Sequence, residues 1–378
     1  MRVVMLLGRS TGGIGTHVVD LTAELRLLGD DVVVVTDPLT ADRFDLVDAR
    51  LWWPQLGGSN APGLAQTLRN LVRLRRLVRG ADVVHAHGHQ AGLLATLVSV
   101  ATGTPVVVSQ HNAVLDSRHT QRLVATLAQR FVTRHAVLVT GASTDLVDQA
   151  RTLGARDPRL APVPSPRVPG LLDRPSLTVA ARAELAADLL ARAGVPTEPA
   201  TQASRLVLTV SRIAPQKDLE TLIAAAARVG AGVSWVVVGD GDQTLLSRYR
   251  REVERLDAPV HFVGAVPDPS DWLRAAEVFA LPSRWEARAL VVQEAMAAGT
   301  PVVATATGGL RDLVEGAGIL VPVGDAAALA RAVRGLLDDS QRRGQLSQLG
   351  RDRAASWDDG RTTARRWHQW YSTTASMT

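Results

Sequence analysis

Two glutamates eight positions apart, Glu286 and Glu294, lie in the stretch SRWEARALVVQEAMAAGTPVVA over residues 283–304. Residues from Ala289 to Ala298 are good helix formers, Gly299 suits a left-handed position just past a helix end, and Thr300-Pro301-Val302-Val303 starts a strand. Glu294 is therefore expected inside the helix and Glu286 in the loop before it. A loop carboxylate that follows an apolar strand (Val278 to Leu281) and precedes a helix N-terminus sits where open α/β sheets bind ligands. Spacing alone does not separate this pair from two solvated charges, so the rest of the chain must supply their partners.

The first partner is a cation. Lys217 is the only lysine in the chain, although Lys and Arg together number 42. A chain that otherwise uses arginine has kept one compact ammonium, and the two side chains differ in geometry and hydration. Arg212 and Lys217 share the segment SRIAPQKD, just before a helix start at Asp218 to Leu219. Two cations beside a helix N-terminus make a clamp for a diphosphate, each charge-assisted bond being worth about 1.5–3 kcal/mol.

Glycines and histidines mark further strand ends. Gly12, Gly13 and Gly15 in RSTGGIG let backbone amides approach an anion closely. The pattern G-G-x-G is not G-x-G-x-x-G, and Asp37 after VVVVT is a weak stand-in for the ribose-binding acid, which argues against a nicotinamide dinucleotide. Gly239-Asp240-Gly241-Asp242 reads as a tight turn bordering a nucleotide rather than a metal-binding D-x-D, because a glycine flanks Asp240 on each side. His85, His87 and His89 alternate along a strand end and are expected on one face. With no carboxylate or Cys nearby, they are read as hydrogen-bonding imidazoles rather than metal ligands. His111 ends the next strand at the same edge. No metal site is assigned.

Length and composition set the frame. At 378 residues two domains are expected, and a hydrophobic fraction of 46% without an apolar run of 18 points to a soluble globular protein. The opening MRVVMLLGRS is too short for a signal peptide, and with no Cys a cytoplasmic protein is expected. The net charge of +5 suits anionic small molecules or an anionic membrane surface, and nothing supports nucleic-acid binding.

Apolar runs and helical segments alternate twice along the chain, the mark of doubly wound parallel sheets. The first series, residues 1–168, runs RVVMLLG, VVVVT, DVVHAHG, PVVVSQH and HAVLVT. Five prolines in PRLAPVPSPRVP (158–169) are expected to preclude regular structure and mark a linker, and a linker segment with a helix is expected over 169–204. The second series, 205–361, runs RLVLTVS, VSWVVVGDGD, VHFVGAV, VFALPS and GILVPV. A last helix at about 362–378, carrying Trp367, Trp370 and Tyr371, is apolar enough to pack back on the first domain. A basic helix over 64–79 places Arg69, Arg73, Arg75, Arg76 and Arg79 among leucines and valines. It reads as a solvated face, or alternatively as a peripheral contact with anionic lipid.

Taken together, GGIGTHVVDLTAELRLLG, DVVHAHG with SQH, VSRIAPQKDLETLIAAAARV, VVVGDGD, HFVG and the 283–316 stretch resemble the family 4 glycosyltransferases of GT-B fold, over nearly the whole chain. The resemblance implies two Rossmann-like domains across a cleft, a nucleoside-diphosphate sugar (UDP- or GDP-type) held mainly by the second, and an acceptor (sugar, lipid or small molecule) held mainly by the first. It implies a retaining reaction that needs no metal or other cofactor. Carried over, Glu294 binds the ribose hydroxyls, Glu286 contacts the hexose, Arg212 and Lys217 neutralise the diphosphate, Gly13 brings amides to the distal phosphate, and His111 lies beside the donor sugar. Arg288, Ala289 and Leu290 complete the donor set with Gly12, Gly15, Gly239 and Asp240.

The chain departs from the family pattern at Glu286-Ala287-Arg288-Ala289, where the family commonly has Glu-Gly-aromatic-Gly or Glu-Pro-Phe-Gly. Gln293 also replaces a usually aliphatic residue, and an Asn-Gly-Val segment is missing from the linker. These departures motivate a second reading, a non-catalytic GT-B relative that binds nucleotide sugar or serves as a partner subunit.

Overall fold

The computed structural model describes residues 1–10, 12–50, 64–112, 119–196 and 205–376. Its strands are β1 (Arg2–Leu7), β2 (Asp31–Val35), β3 (Val83–His87), β4 (Val106–Gln110), β5 (Leu138–Gly141) and β6 (Pro158–Leu160), then β7 (Arg205–Val210), β8 (Val233–Val238), β9 (Val260–Gly264), β10 (Val278–Leu281), β11 (Val302–Thr305) and β12 (Ile319–Val321). The helices of the first half are α1 (Gly13–Leu27), α2 (Pro38–Arg43), α3 (Leu64–Arg79), α4 (His89–Val100), α5 (His119–His135) and α6 (Thr144–Thr152). They are followed by α7 (Val168–Leu172), α8 (Val179–Arg192), α9 (Leu219–Val229), α10 (Gln243–Leu256) and α11 (Ser270–Ala275). The last are α12 (Leu290–Ala297), α13 (Gly309–Val314), α14 (Ala326–Asp338), α15 (Ser340–Ala355) and α16 (Gly360–Ala375).

The chain divides into two compact units, Met1–Pro164 with Asp358–Thr378, and Ser165–Trp357. Each holds one six-stranded sheet, in the orders β2-β1-β3-β4-β5-β6 and β12-β11-β10-β7-β8-β9, and every pairing is parallel. The valine- and leucine-rich inner strands, among them β3, β4, β10 and β11, are buried on both faces, as helices over both sides of a parallel sheet require. Along β1, Val4 and Leu6 face a core built with α3 and α4, whereas Val3, Met5 and Leu7 face one built with α1 and α16. That is the period-2 alternation of a strand.

The strand order reverses at one place in each sheet. In the first unit β2 and β3 flank β1, and in the second β8 and β10 flank β7. Crossovers leave in opposite directions there and open a crevice beyond the carboxyl ends of the strands. The loops after β7 and β10 both leave from the reversal of the second sheet.

Several expectations need correction. Pro158–Leu160 is not irregular: it is the outermost strand of the first sheet, paired parallel with β5. Pro158 lacks an N–H, but the ladder bonds are supplied by the Asp157 carbonyl and the Ala161 N–H on either side of the strand. The units meet in sequence at Pro164 and Ser165, where 168 was expected, and α7 and α8 belong to the second unit. Helix α1 begins at Gly13 rather than Thr16, so the second and third loop glycines are part of its first turn. Strand β3 stops at His87, Gly88 turns at φ +89°, and His89 opens α4, so the three histidines do not share one strand face. The helix expected from Asp116 is described from His119 onward, since residues 113–118 lie outside the described set.

Helix α16 packs on α1, with Trp367 and Tyr371 fully buried beside Val3 and Met5. Burying each large side chain is worth about 1.5–3 kcal/mol, enough to fix this terminal helix on the first unit.

Candidate functional site

Lys217 ends a short 3-10 turn, Pro215–Lys217, after β7, and Asp218 caps α9 in left-handed conformation at φ +50°. Glu286 lies in the loop between β10 and α12. Lys217 Nζ donates to Glu286 Oε1 at 2.5 Å, and Ser283 Oγ donates to the same oxygen at 2.7 Å. Both charged side chains are only 11% exposed. A buried ion is tolerated when it is paired and hydrogen-bonded, and this pair meets both conditions.

Two neighbouring loops clamp the glutamate. Arg284 N donates to Gln216 O at 2.8 Å, which ties the loop to the Lys217 turn. On its other side Thr305 Oγ1 donates to Ser283 O at 2.5 Å, Thr307 Oγ1 to Arg284 O at 3.0 Å, and Gly309 N to Glu286 O at 2.9 Å. Gly308 has φ +45°, and a Cβ there would lie 2.2 Å from the Glu286 carbonyl oxygen and 2.7 Å from the Trp285 indole nitrogen. No other residue type fits that approach.

Arg212 is exposed in the same loop as Lys217. The Gly239-Asp240 turn packs directly on this loop. Gly239 has φ +146°, and a Cβ on it would stand 1.9 Å from Ser211 O. Ile213 N donates to Asp240 O at 2.9 Å. The Asp240 carboxylate accepts from Gly241 N and Gln243 Nε2, and Asp242 caps α10 through Thr244 N and Leu245 N. Both acids of the D-x-D are thus used locally, in a turn and a cap.

Glu294 lies in the middle of α12, one turn above the Gly299 terminus at φ +75°, as its helix-forming context implied. Its Oε1 accepts from Ser165 Oγ at 2.6 Å and Arg167 Nη1 at 3.4 Å, while its Oε2 is buried with no hydrogen-bond partner. Burial pushes its carboxyl above the usual range, opposed by Ser165 and Arg167. Neither Ser165 nor Arg167 was expected: they sit in the proline-rich stretch read as a linker. The signal for them was a polar Ser and an Arg set between prolines, P-S-P-R.

The residues after Glu286 take ordinary backbone angles. Among the described residues the non-glycine positions with positive φ are Asp45, Asp218 and Asp257, so Ala287, Arg288 and Ala289 need no glycine. Ala289, at φ −71°, precedes Leu290, which opens α12. Arg288 turns inward: its guanidinium lies 5.2 Å over the Trp357 ring, and burial lowers its pKa to about 10 against the opposing Asp312.

The first unit places Gly12, Gly13 and Gly15 at the start of α1 and His111 just after β4. Gly15 N donates to Ser10 Oγ at 3.0 Å, and a Cβ on Gly15 would overlap the Phe44 ring at 2.2 Å. His111, after β4, belongs to a group of four imidazoles with His17, His85 and His87, with ring centroids 4.1–5.7 Å apart. Burial lowers His17 to about 4 and His111 to about 3, and holds His85 and His87 well below the usual histidine value, so all four are neutral at pH 7. His85 is bracketed by Tyr371 Oη at 2.5 Å and Ser109 Oγ at 2.7 Å. His89 lies apart, its Nε2 on the Asn112 carbonyl at 2.8 Å. Among the described residues no group of three His, Cys, Asp or Glu is arranged to hold a metal ion.

The second unit therefore brings together Lys217, Glu286 and Ser283, and beside Lys217's loop Arg212, Gly239 and Asp240, while Glu294, on α12, has its own partners in Ser165 and Arg167. Gly12, Gly13, Gly15 and His111 belong to the first unit.

Two family models match the chain: "Glycosyl transferase 4-like domain" over residues 12–166 and "Glycosyl transferases group 1" over residues 204–339. A D-inositol 3-phosphate glycosyltransferase of Xylanimonas cellulosilytica is 30% identical over 92% of this chain and 89% of its own. An alpha-D-kanosaminyltransferase of Streptomyces kanamyceticus is 33% identical over 78% and 77%. Among solved structures, Anabaena HepE in complex with UDP superimposes with a TM-score of 0.82 over 99% of this chain and 100% of its own, at 21% identity, a likeness of fold.

Proposed function

The chain belongs to the group 1 glycosyltransferases, family 4 enzymes of GT-B fold, and from that premise we propose a retaining transfer of a hexose-type sugar from a UDP- or GDP-type sugar to a small hydroxylated acceptor. The observation that carries this reading is the buried Lys217–Glu286 pair at the strand-order reversal of the second sheet. A cation and a carboxylate held there suit a diphosphate and the sugar attached to it.

In this reading Lys217 and Arg212 stabilise the diphosphate as its bond to the anomeric carbon breaks and the electron pair leaves on the phosphate oxygen. The acceptor oxygen bonds the same face of the sugar, and its proton passes to the departing phosphate. Glu286 steadies positive charge at the anomeric carbon. Glu294 receives the ribose hydroxyls on Oε2, the oxygen without a partner. The glycine amides at the start of α1 and the positive end of α12, opened by Ala289 and Leu290, favour phosphate oxygens. The family likeness gives His111 a role toward the donor sugar, and Arg288 supports the loop by stacking on Trp357. Two cations supply the leaving-group stabilisation, so chelation with EDTA is expected to leave turnover unchanged. The acceptor class draws on the named relative that acts on D-inositol 3-phosphate.

A panel of nucleoside diphosphates and their sugars tests the reading. A true donor at 100 times its Kd stabilises the fold by about 2.7 kcal/mol, read as a rise in Tm. Stabilisation by one donor with slow hydrolysis supports an enzyme; binding without turnover across the panel favours the non-catalytic reading.

A separate proposal concerns α3. No helix among the described residues is long and apolar enough to cross a membrane. On α3, however, Leu68 and Val72 are 54% and 50% exposed between exposed Arg69, Arg73, Arg75, Arg76 and Arg79. We infer peripheral contact with anionic lipid on the cytoplasmic face, the leucine and valine entering between headgroups. Co-sedimentation with phosphatidylserine vesicles but not phosphatidylcholine vesicles, lost in Leu68→Glu, is the expected result.

A further inference from the structure

The hydrogen bonding within the four-imidazole group assigns protons. His87 Nδ1 lies 3.1 Å from His111 Nε2, with the two ring planes within 12° of parallel. Both rings are buried and neutral, so one of these two nitrogens carries the proton they share. His87 Nε2 decides which, because it is buried and has no hydrogen-bond partner. If His111 donated from Nε2, His87 would carry its own proton on that enclosed Nε2, an orphaned buried N–H. If His87 donates from Nδ1, its Nε2 is left as a bare lone pair, and unsatisfied acceptors are better tolerated than orphaned N–H donors. His85 cannot relieve the orphan, since its two nitrogens are engaged with Tyr371 and Ser109.

We propose that His87 is a positioning residue for sugar transfer: it donates from Nδ1 to His111 Nε2 and thereby holds His111 as the Nδ1–H tautomer, a fixed hydrogen-bond donor to a hydroxyl oxygen of the donor sugar. The role rests on the proposed function, in which His111 serves the donor sugar. The lock matters because a free neutral imidazole favours the Nε2–H form, which would present a lone pair at Nδ1 and reverse the bond, leaving the hydroxyl to donate instead of accept. A group fixed before the sugar arrives does not have to reorganise during the reaction.

The test is a long-range proton–nitrogen correlation spectrum of the full chain labelled with 15N-histidine, with the His111 signals assigned by their loss in His111→Gln. His111 protonated at Nδ1 in the wild type is the expected result. His87→Asn keeps an amide donor near the Nδ1 position and retains both that tautomer and activity. His87→Leu removes the donor, shifts His111 towards Nε2–H, and lowers kcat for donor hydrolysis about tenfold or more with KM within about threefold. A wild-type spectrum with His111 protonated at Nε2 overturns the lock outright, whether or not His87→Leu folds. Equal loss of kcat in His87→Asn and His87→Leu, with His111 unchanged in both, reduces His87 to packing and also overturns it. Wild-type turnover in His111→Gln removes the role in transfer and traces the failure to the use of His111 in the proposed function rather than to the tautomer.

Discussion

Lys217 and Glu286 are 69 positions apart in sequence, yet the ammonium and the carboxylate meet at 2.5 Å because β7 and β10 are neighbours in the sheet and each residue lies in the loop that leaves its strand. Removing one partner leaves the other buried and unpaired. Lys217→Ala is expected to weaken nucleoside diphosphate binding about 10- to 100-fold in calorimetric titration, the size of one lost charge-assisted bond. Unchanged binding by the folded variant would remove Lys217 from the clamp. Glu294 makes a different prediction. Its carboxyl is raised by burial, so the folded state binds its proton more tightly than the unfolded chain does, and the charged form is held at a penalty that grows as pH rises through its folded value. Glu294→Gln is thus expected to keep or raise Tm at pH 7 while weakening donor binding; a fall of several degrees would mean the carboxylate is structural. Glu286, the lone lysine and His111 were legible as residue types at strand ends, and Glu294 as a carboxylate inside the helix that follows one. Ser283, Ser165 and Arg167 were not, because what marks them is contact with a carboxylate brought near by the fold.

At the scale of elements, most strands and long helices were readable, since parallel strands buried on both faces are continuous apolar runs and the helices between them are long. Short elements escaped. Helix α2 starts at Pro38 in a stretch with little periodicity, α13 opens at Gly309 directly after Gly308, and β6 lies within a proline run whose missing N–H is harmless at a sheet edge. The loop from Thr305 to Gly309 shows how such an element serves the site: three of its groups hold the backbone of Ser283, Arg284 and Glu286. Gly308→Ala must place a Cβ 2.2 Å from Glu286 O at a positive φ. The expected outcome is a loss of about 1–3 kcal/mol in stability with a fall of tenfold or more in kcat, measured on protein that still folds. Wild-type turnover in that variant would show that the clamp does not set the position of Glu286. The three residues after Glu286, which set this chain apart in sequence, prove compatible with the loop because none needs a left-handed backbone.

At the scale of the molecule, two doubly wound units were readable from two alternating series, and the return of α16 to the first unit from its aromatic residues. The four-imidazole group was only partly readable: His85, His87 and His111 lie at strand ends, but His17 comes from α1 and joins them only in the folded unit. This group gives the first unit a pH dependence. His17, lowered from 6.5 to about 4, and His111, lowered to about 3, bind protons in the unfolded chain before they do in the folded one. Stability therefore falls as pH drops below about 6.5 and continues to fall down to about 4, with His17 alone accounting for about 3 kcal/mol over that window. Urea unfolding at pH 7 and pH 5 should show the lower midpoint at pH 5, and equal midpoints would contradict the buried neutral state. The central claim, that the Lys217–Glu286 pair is where the sugar is released from its nucleotide, is tested most directly by following hydrolysis of the stabilising donor by 31P NMR in wild type and Glu286→Gln. The account predicts that the variant binds the donor within about threefold of wild type but releases nucleoside diphosphate about 100-fold or more slowly, as loss of a transition-state interaction requires. Release at the wild-type rate would contradict it.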